Sequence, residues 1–194
     1  MTIKTFKILA VHRDPVTDDW RQQLIELLGS KPRRLSHWCE LGLWGALSCI
    51  RRAGQSGLPN SVAIRICCEL GAIAATRAAL AQTREGLPMP FTFMQTQPGQ
   101  IFNALGSALG WHGDGLISIY NNPGAGEAAL LQGLSHSALL AWVDEEPQPK
   151  SDWIYLETRQ PDQTLDWYPA ASLFATDPEA SWLKIVDRDV FQAR

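Results

Sequence analysis

No apolar run in this 194-residue chain approaches the roughly 20 residues that a helix needs to cross a bilayer. The opening stretch MTIKTFKILAVHRDPV offers only the short run ILAV, broken by His12 and Arg13. No signal peptide is legible there, so the cytoplasm is the expected compartment. A basic excess is missing too: 17 Lys and Arg face 20 Asp and Glu, for a net charge of -3. Neither nucleic acid nor an anionic membrane surface is therefore expected as partner. The four cysteines, Cys39, Cys49, Cys67 and Cys68, form no CxxC pair. No histidine pattern completes a zinc set, and reduced, small apolar side chains are the expected role. No metal or cofactor is expected. Histidine is scarce as well: after His12, His37, His112 and His136 there is none.

What is abundant is core-forming material. Hydrophobic residues make up 45% of the chain, enough for one substantial core, so a single domain over 1–194 is expected. Eight tryptophans are spread without a repeat. Two readings stay open for them: interface anchors that a partner covers, or core residues and single surface positions.

TIKTFKILAVHR reads as a strand, and WRQQLIELLG as a helix with Leu24, Leu27 and Leu28 on one stripe and Gly29 as stop. In KPRRLSHWCELGLWGALSCIRRAG, the residues Leu35, Trp38, Cys39, Leu43, Ala46 and Leu47 recur at helical spacing. Gly42 and Gly45 within that helix predict close approach to a neighbour. SVAIRICCEL predicts a buried strand, on which Cys67 and Cys68 face opposite ways. GAIAATRAALAQTREG predicts a helix; LPMPFTFMQTQPGQ, with three prolines, an extended loop; IFNALGSALGW a short helix. GLISIY, GAGEAALLQGL and HSALLAWVDEE then predict strand, helix and strand. This alternation implies an α/β layered fold with a mostly parallel central sheet. The ordered core is expected over about 1–145. An irregular segment follows over 146–194, with SDWIYLETRQ as a strand and the tail WLKIVDRDVFQAR as a strand or short helix.

The stretch GLISIYNNPGAGEAALLQG has the strand–tight turn–helix pattern that usually presents a nucleophile. Gly124, Ala125 and Gly126 are small enough for it, yet Asn121, Asn122 and Pro123 occupy the nucleophile's place. None can attack a carbonyl. The weaker signals have structural explanations. SHS at 135–137 is a loop, since sequence neighbours rarely form a catalytic pair. WHGDG at 111–115 is a glycine turn rather than a His112–Asp114 metal site. Glu69 and Glu127 suit helix starts, where a carboxylate meets the positive dipole end.

Residues 33–145 resemble the N-terminal half of a β-ketoacyl synthase of the thiolase fold. The likeness rests on RRLSHWCELGLWGAL, SVAIRICCELGAIAATRAAL, LPMPFTFMQTQPGQIFNALGSALGW and GDGLISIYNNPGAGEAALLQGLSHSALLAWVDE. In the third, Phe91 or Phe93 matches the family's Pro-Phe loop. In the fourth, the family's cysteine falls on Pro123 and its later glycine on Gly126. The resemblance implies a truncated thiolase-like, half-ketosynthase fold. With neither the cysteine nor the family's later histidines, it implies a non-catalytic subunit similar to the short chain length factors of aryl-polyene clusters. Such a subunit pairs with an active ketosynthase in a heterodimer acting on acyl groups carried by an acyl carrier protein. The expected interface and pocket residues are Ile117, Ile119, Tyr120, Asn121, Asn122, Pro123, Gly124, Gly126, Phe91 and Phe93. The alternatives are a stand-alone homodimeric scaffold that binds an acyl chain or carrier protein, and an acyltransferase using some other nucleophile.

Overall fold

The computed structural model describes residues 3–87, 89–132, 134, 136–158, 173–175 and 182–186. The chain runs β1 (Ile3–His12), α1 (Trp20–Leu28), α2 (His37–Arg52), β2 (Ala63–Cys68), α3 (Ile73–Arg84), α4 (Pro90–Gln95), α5 (Gln100–Leu109) and β3 (Gly115–Ile119). It continues with α6 (Pro123–Leu131), β4 (Ala138–Asp144), β5 (Lys150–Thr158), a 3-10 turn (Leu173–Ala175) and β6 (Trp182–Val186). The six strands form one sheet in the order β3-β2-β4-β5-β1-β6.

The parallel part of the sheet is where the strand–helix alternation places it: β2 lies between β3 and β4, parallel to both. β5 pairs antiparallel with β4 and β1, and β6 antiparallel with β1. The sheet is therefore mixed, with its antiparallel pairs contributed by strands that follow residue 145. The segment from 150 to 158 is buried at most of its positions and belongs to the core. The tail strand is β6; the proline-broken stretch before it falls largely outside the described residues.

One departure lies between α3 and α5. The proline-rich segment there contains the helix α4, six residues long. Pro90 occupies its first turn, where no backbone N–H is needed, so the proline starts the helix instead of preventing it.

Two layers flank the sheet. On one side α1, α2 and α5 pack through Leu24, Trp38, Leu41, Trp44, Ile101 and Leu105 onto Ile64, Ile66, Leu139 and Trp153. On the other, α6 and the 173–174 turn cover Cys67, Leu140, Trp142, Ile154 and Leu156. Cys67 and Cys68 do face opposite layers.

α2 is the central helix. Ser36 caps it, its Oγ accepting from the Cys39 N–H at 3.1 Å. Arg51 and Arg52 sit in its last turn, where cations oppose the dipole. A Cβ at Gly45 would lie within 2.6 Å of the Trp153 indole atoms, and one at Gly42 2.5 Å from Ile101 Cδ1. Both glycines set how closely α2 approaches its neighbours.

Six tryptophans whose side chains are described, Trp20, Trp38, Trp44, Trp111, Trp142 and Trp153, are all buried. Five satisfy their indole N–H inside the fold: Trp38 on Val143 O, Trp44 on Gln23 Oε1, Trp111 on Val62 O, Trp142 on Asp144 Oδ2 and Trp153 on Ser151 Oγ. A buried indole needs such a partner. These six are core residues, and the interface reading fails for them.

His12 is fully buried at the end of β1, edge-on to Trp44 with ring centroids 4.7 Å apart. Neither ring nitrogen has a hydrogen-bond partner. Burial lowers its pKa from 6.5 to about 4; the Asp14 carboxylate works against that shift, and Arg52 adds to it. The ring is neutral in the fold, and the unfolded chain binds its proton near 6.5. Its contribution is complete above pH 6.5 and is lost as pH falls towards 4, by up to roughly 3 kcal/mol. Urea midpoints measured from pH 7 to 4.5 should fall, and His12→Leu should flatten the dependence. An unchanged slope in His12→Leu would remove His12 as its cause.

Candidate functional site

The candidate site is the β3–turn–α6 unit. β3 pairs with β2 on one side, and among the described residues no strand pairs with its other side. The Asp114 carbonyl accepts from Ile64 N–H at 2.8 Å, and Tyr120 N–H donates to Cys68 O at 3.0 Å. Backbone groups alternate sides along a strand, so Ile117 and Ile119 turn their N–H and C=O groups away from β2. The free edge is apolar: Leu116 is 46% exposed and Ile119 63%. Ile117 packs against the α2–α5 side, and Tyr120 is half-buried against the α6 side.

The turn is built by helix-start chemistry. Asn122 is the N-cap of α6, its Oδ1 accepting from Ala125 N–H at 3.2 Å, and Pro123 fills the first turn. Asn121, Asn122, Pro123 and Gly124 are all exposed. The two small residues differ. A Cβ at Gly126 would fall 2.5 Å from Trp142 Cζ3, so that glycine lets α6 lie against β4. At Gly124 the nearest atom is Asn122 Oδ1 at 3.4 Å, which asks for no special smallness.

The nearest thiols do not substitute for the missing nucleophile. Burial pushes the Cys67 and Cys68 thiols up to about 12 and Cys39 to about 11. Thiols held that high are uncharged near neutrality and inert. His112 and His136 are exposed. His112 and Asp114 use their backbone groups to build the turn before β3. Glu127 accepts from Leu173 N–H at 2.6 Å and ties the 173–175 turn to α6.

The acidic pair at the end of β4 does more than the sequence suggested. Asp144 accepts from Trp142 Nε1 at 2.6 Å and from Glu69 N–H at 2.8 Å. Glu145 accepts from Ala74 N–H at 2.7 Å and lies 3.1 Å from His37 Nδ1. A distant carboxylate thus meets the start of α3, the place Glu69 was expected to fill. The legible signal was two acids at the end of a buried strand.

Phe91 and Phe93 lie on α4, whose main packing partner is α3. Both are exposed, at 42% and 64%.

No protein-family model matches the chain, and no curated protein matches it in sequence. Solved structures do match. A ketosynthase in complex with its chain length factor from Xenorhabdus doucetiae aligns over 80% of this chain and 79% of its own, with TM-score 0.53 and 15% identity. A type II polyketide synthase acyl-carrier protein in complex with its ketosynthase bound to the hexaketide aligns with TM-score 0.55 and 13% identity, over 80% and 63%. The ishigamide ketosynthase/chain length factor aligns with TM-score 0.56 and 10% identity, over 81% and 59%. The chain thus spans about three fifths of the length of the latter two. The fold is a truncated thiolase-like one, of the type found in ketosynthase and chain-length-factor complexes.

The two turn glycines yield a paired expectation. Gly126→Leu should lower stability by about 1–3 kcal/mol, because the side chain must displace the Trp142 ring. Gly124→Ala should leave the urea midpoint unchanged or slightly raised. Equal losses in both variants would contradict this packing of α6 on β4.

Proposed function

We propose that this chain is a non-catalytic chain length factor that pairs with an active ketosynthase in carrier-protein-dependent chain elongation of the polyene or fatty-acid type. The observation that carries the reading is the free, apolar edge of β3 immediately before a turn without a nucleophile. An unpaired strand edge is a template for a second chain. Pairing there would continue the sheet into the partner and bury Leu116 and Ile119.

In this reading, 1–194 acts as a single domain in the cytoplasm. Ile117 and Ile119 supply the backbone groups of the interface, and Ile119 and Leu116 its apolar contacts. Tyr120, Asn121, Asn122, Pro123 and Gly124 form the wall presented to the ketosynthase's acyl site, and the buried Gly126 behind them lets α6 rest on Trp142. Phe91 and Phe93, grouped with them by resemblance, lie on a separate helix, α4, and Phe93 belongs to the second surface described below.

The absence of chemistry follows from the turn. Pro123 carries no nucleophile and no N–H, and the buried thiols are held in their neutral form. Incubation with an acylated carrier protein should leave the intact mass unchanged. Pro123→Cys should still not condense, since a thiol without an activating base or oxyanion donors gains little. A mass increase equal to the acyl group would overturn the non-catalytic reading.

The partner claim has its own test. Ile119→Asp should abolish co-purification with the ketosynthase, while Asp18→Asn, exposed before α1, should not. Because Ile119 is exposed in the isolated chain, the variant should keep its far-UV circular dichroism and melting temperature. A folded Ile119→Asp chain that still co-purifies would refute pairing through β3. Self-association of the wild-type chain through the same edge, with no ketosynthase bound, would favour a homodimeric scaffold.

A further inference from the structure

α3 and α4 form a helical pair in which no side chain is buried. Yet Leu80, Leu87, Met89, Phe93 and Met94 are each more than half exposed there. Between the helices runs a groove of roughly 290 Å³, lined by Ala79, Gln82, Thr83, Met89, Pro90 and Phe93. Apolar surface gathered around a concavity is a mark of an interaction site.

A basic segment leads to the end of α4. Lys31, Arg33 and Arg34, in the connection between α1 and α2, are exposed, and none is in an ion pair among the described residues. Gln95, the last residue of α4, donates from Nε2 to the Leu35 carbonyl at 2.9 Å. That bond fixes the backbone just after Arg34 against the helix end just after Met94. Arg34 is thereby held next to the C-terminal end of α4, with Arg33 and Lys31 one and three residues before it, in a chain whose net charge is -3.

We infer that the α3–α4 groove and the Lys31–Arg34 segment together form a docking surface for a small acidic helical protein, one that presents an apolar side chain among carboxylates. Charge complementarity selects the acidic partner and steers its approach. The concave groove takes an inserted apolar side chain, whereas a lipid surface would favour a protruding apolar tip. The carrier protein of the proposed function is the natural candidate, and to that extent the inference rests on that reading. The groove shares no lining residue with β3, so each surface can be disrupted by its own substitution.

The test uses the full chain and, as probe, the apo carrier protein that serves the ketosynthase used in co-purification. Binding is followed by calorimetry at 50 and 300 mM salt, with anionic phospholipid vesicles as a second arm. The wild-type chain should bind the carrier protein at least tenfold more weakly at the higher salt. The triple variant Lys31→Glu, Arg33→Glu, Arg34→Glu should lose at least tenfold in affinity at low salt. Phe93→Ala should weaken binding several-fold at both salts, since it removes the groove contact and leaves the charges. All four side chains are exposed, and melting temperatures should be unchanged. Carrier binding that ignores both sets of substitutions would overturn the inference, and binding to vesicles with none to the carrier would replace it with a membrane surface.

Ile119→Asp separates the two readings. If it loses the ketosynthase but keeps the carrier, both stand. If no ketosynthase binds the wild-type chain but the carrier does, with these dependences, the docking surface stands alone. If the ketosynthase binds and the carrier does not, only the docking surface falls.

Discussion

The outward backbone groups of Ile117 and Ile119 are the constraint around which the functional account is built. A strand in the middle of a sheet satisfies every N–H and C=O, whereas among the described residues nothing pairs with the outer side of β3. Natural edges are usually blunted by charge, proline or a bulge. Along 115–119 the chain offers Gly-Leu-Ile-Ser-Ile instead, without a single charge. Such an edge invites a partner strand, and its apolar side chains give that strand something to bury. In the turn that follows, Asn122 and Pro123 serve as cap and first helical residue of α6.

The rest of the molecule holds this unit in place. β2 pairs with β3 through all five of the strand's residues, and Gly126 lets α6 rest on Trp142. Trp142 is anchored in turn on Asp144, whose carboxylate also gathers the loop after β2. α2 underlies the sheet at a distance set by Gly45 and Trp153. One carboxylate, two glycines and two indoles thereby fix where the edge lies relative to the core. The α3–α4 pair contributes no buried side chain to that scaffold, which is why its apolar face calls for an explanation of its own.

Much of the fold was legible. SVAIRICCEL and HSALLAWVDEE are apolar enough to announce strands, and the stripe of Leu35, Trp38, Cys39, Leu43, Ala46 and Leu47 announces the helix α2. Strand direction was not legible beyond residue 145, because alternation of strand and helix stops there and hairpin-like pairing leaves no periodic mark. α4 was hidden by its prolines, whose effect depends on position in the helix rather than on their number. The tryptophans were ambiguous because burial of an indole depends on distant acceptors such as Val143 O and Val62 O. At the site, the lack of a nucleophilic side chain over 121–123 is a fact of the sequence itself. The exposure of Leu116 is not, since it follows from β3 being last in the sheet, a fact of topology. The role of Glu145 at the start of α3 likewise joins residues 71 positions apart.

The most direct test of the central claim is backbone hydrogen exchange across 115–120, measured on the chain alone and after addition of a ketosynthase that co-purifies with it. The amides of Ile117 and Ile119 should exchange rapidly in the isolated chain and be strongly protected in the complex. Those of Ser118 and Tyr120, which face β2, should be slow in both states. A complex that forms while Ile117 and Ile119 exchange as fast as before would contradict pairing through β3.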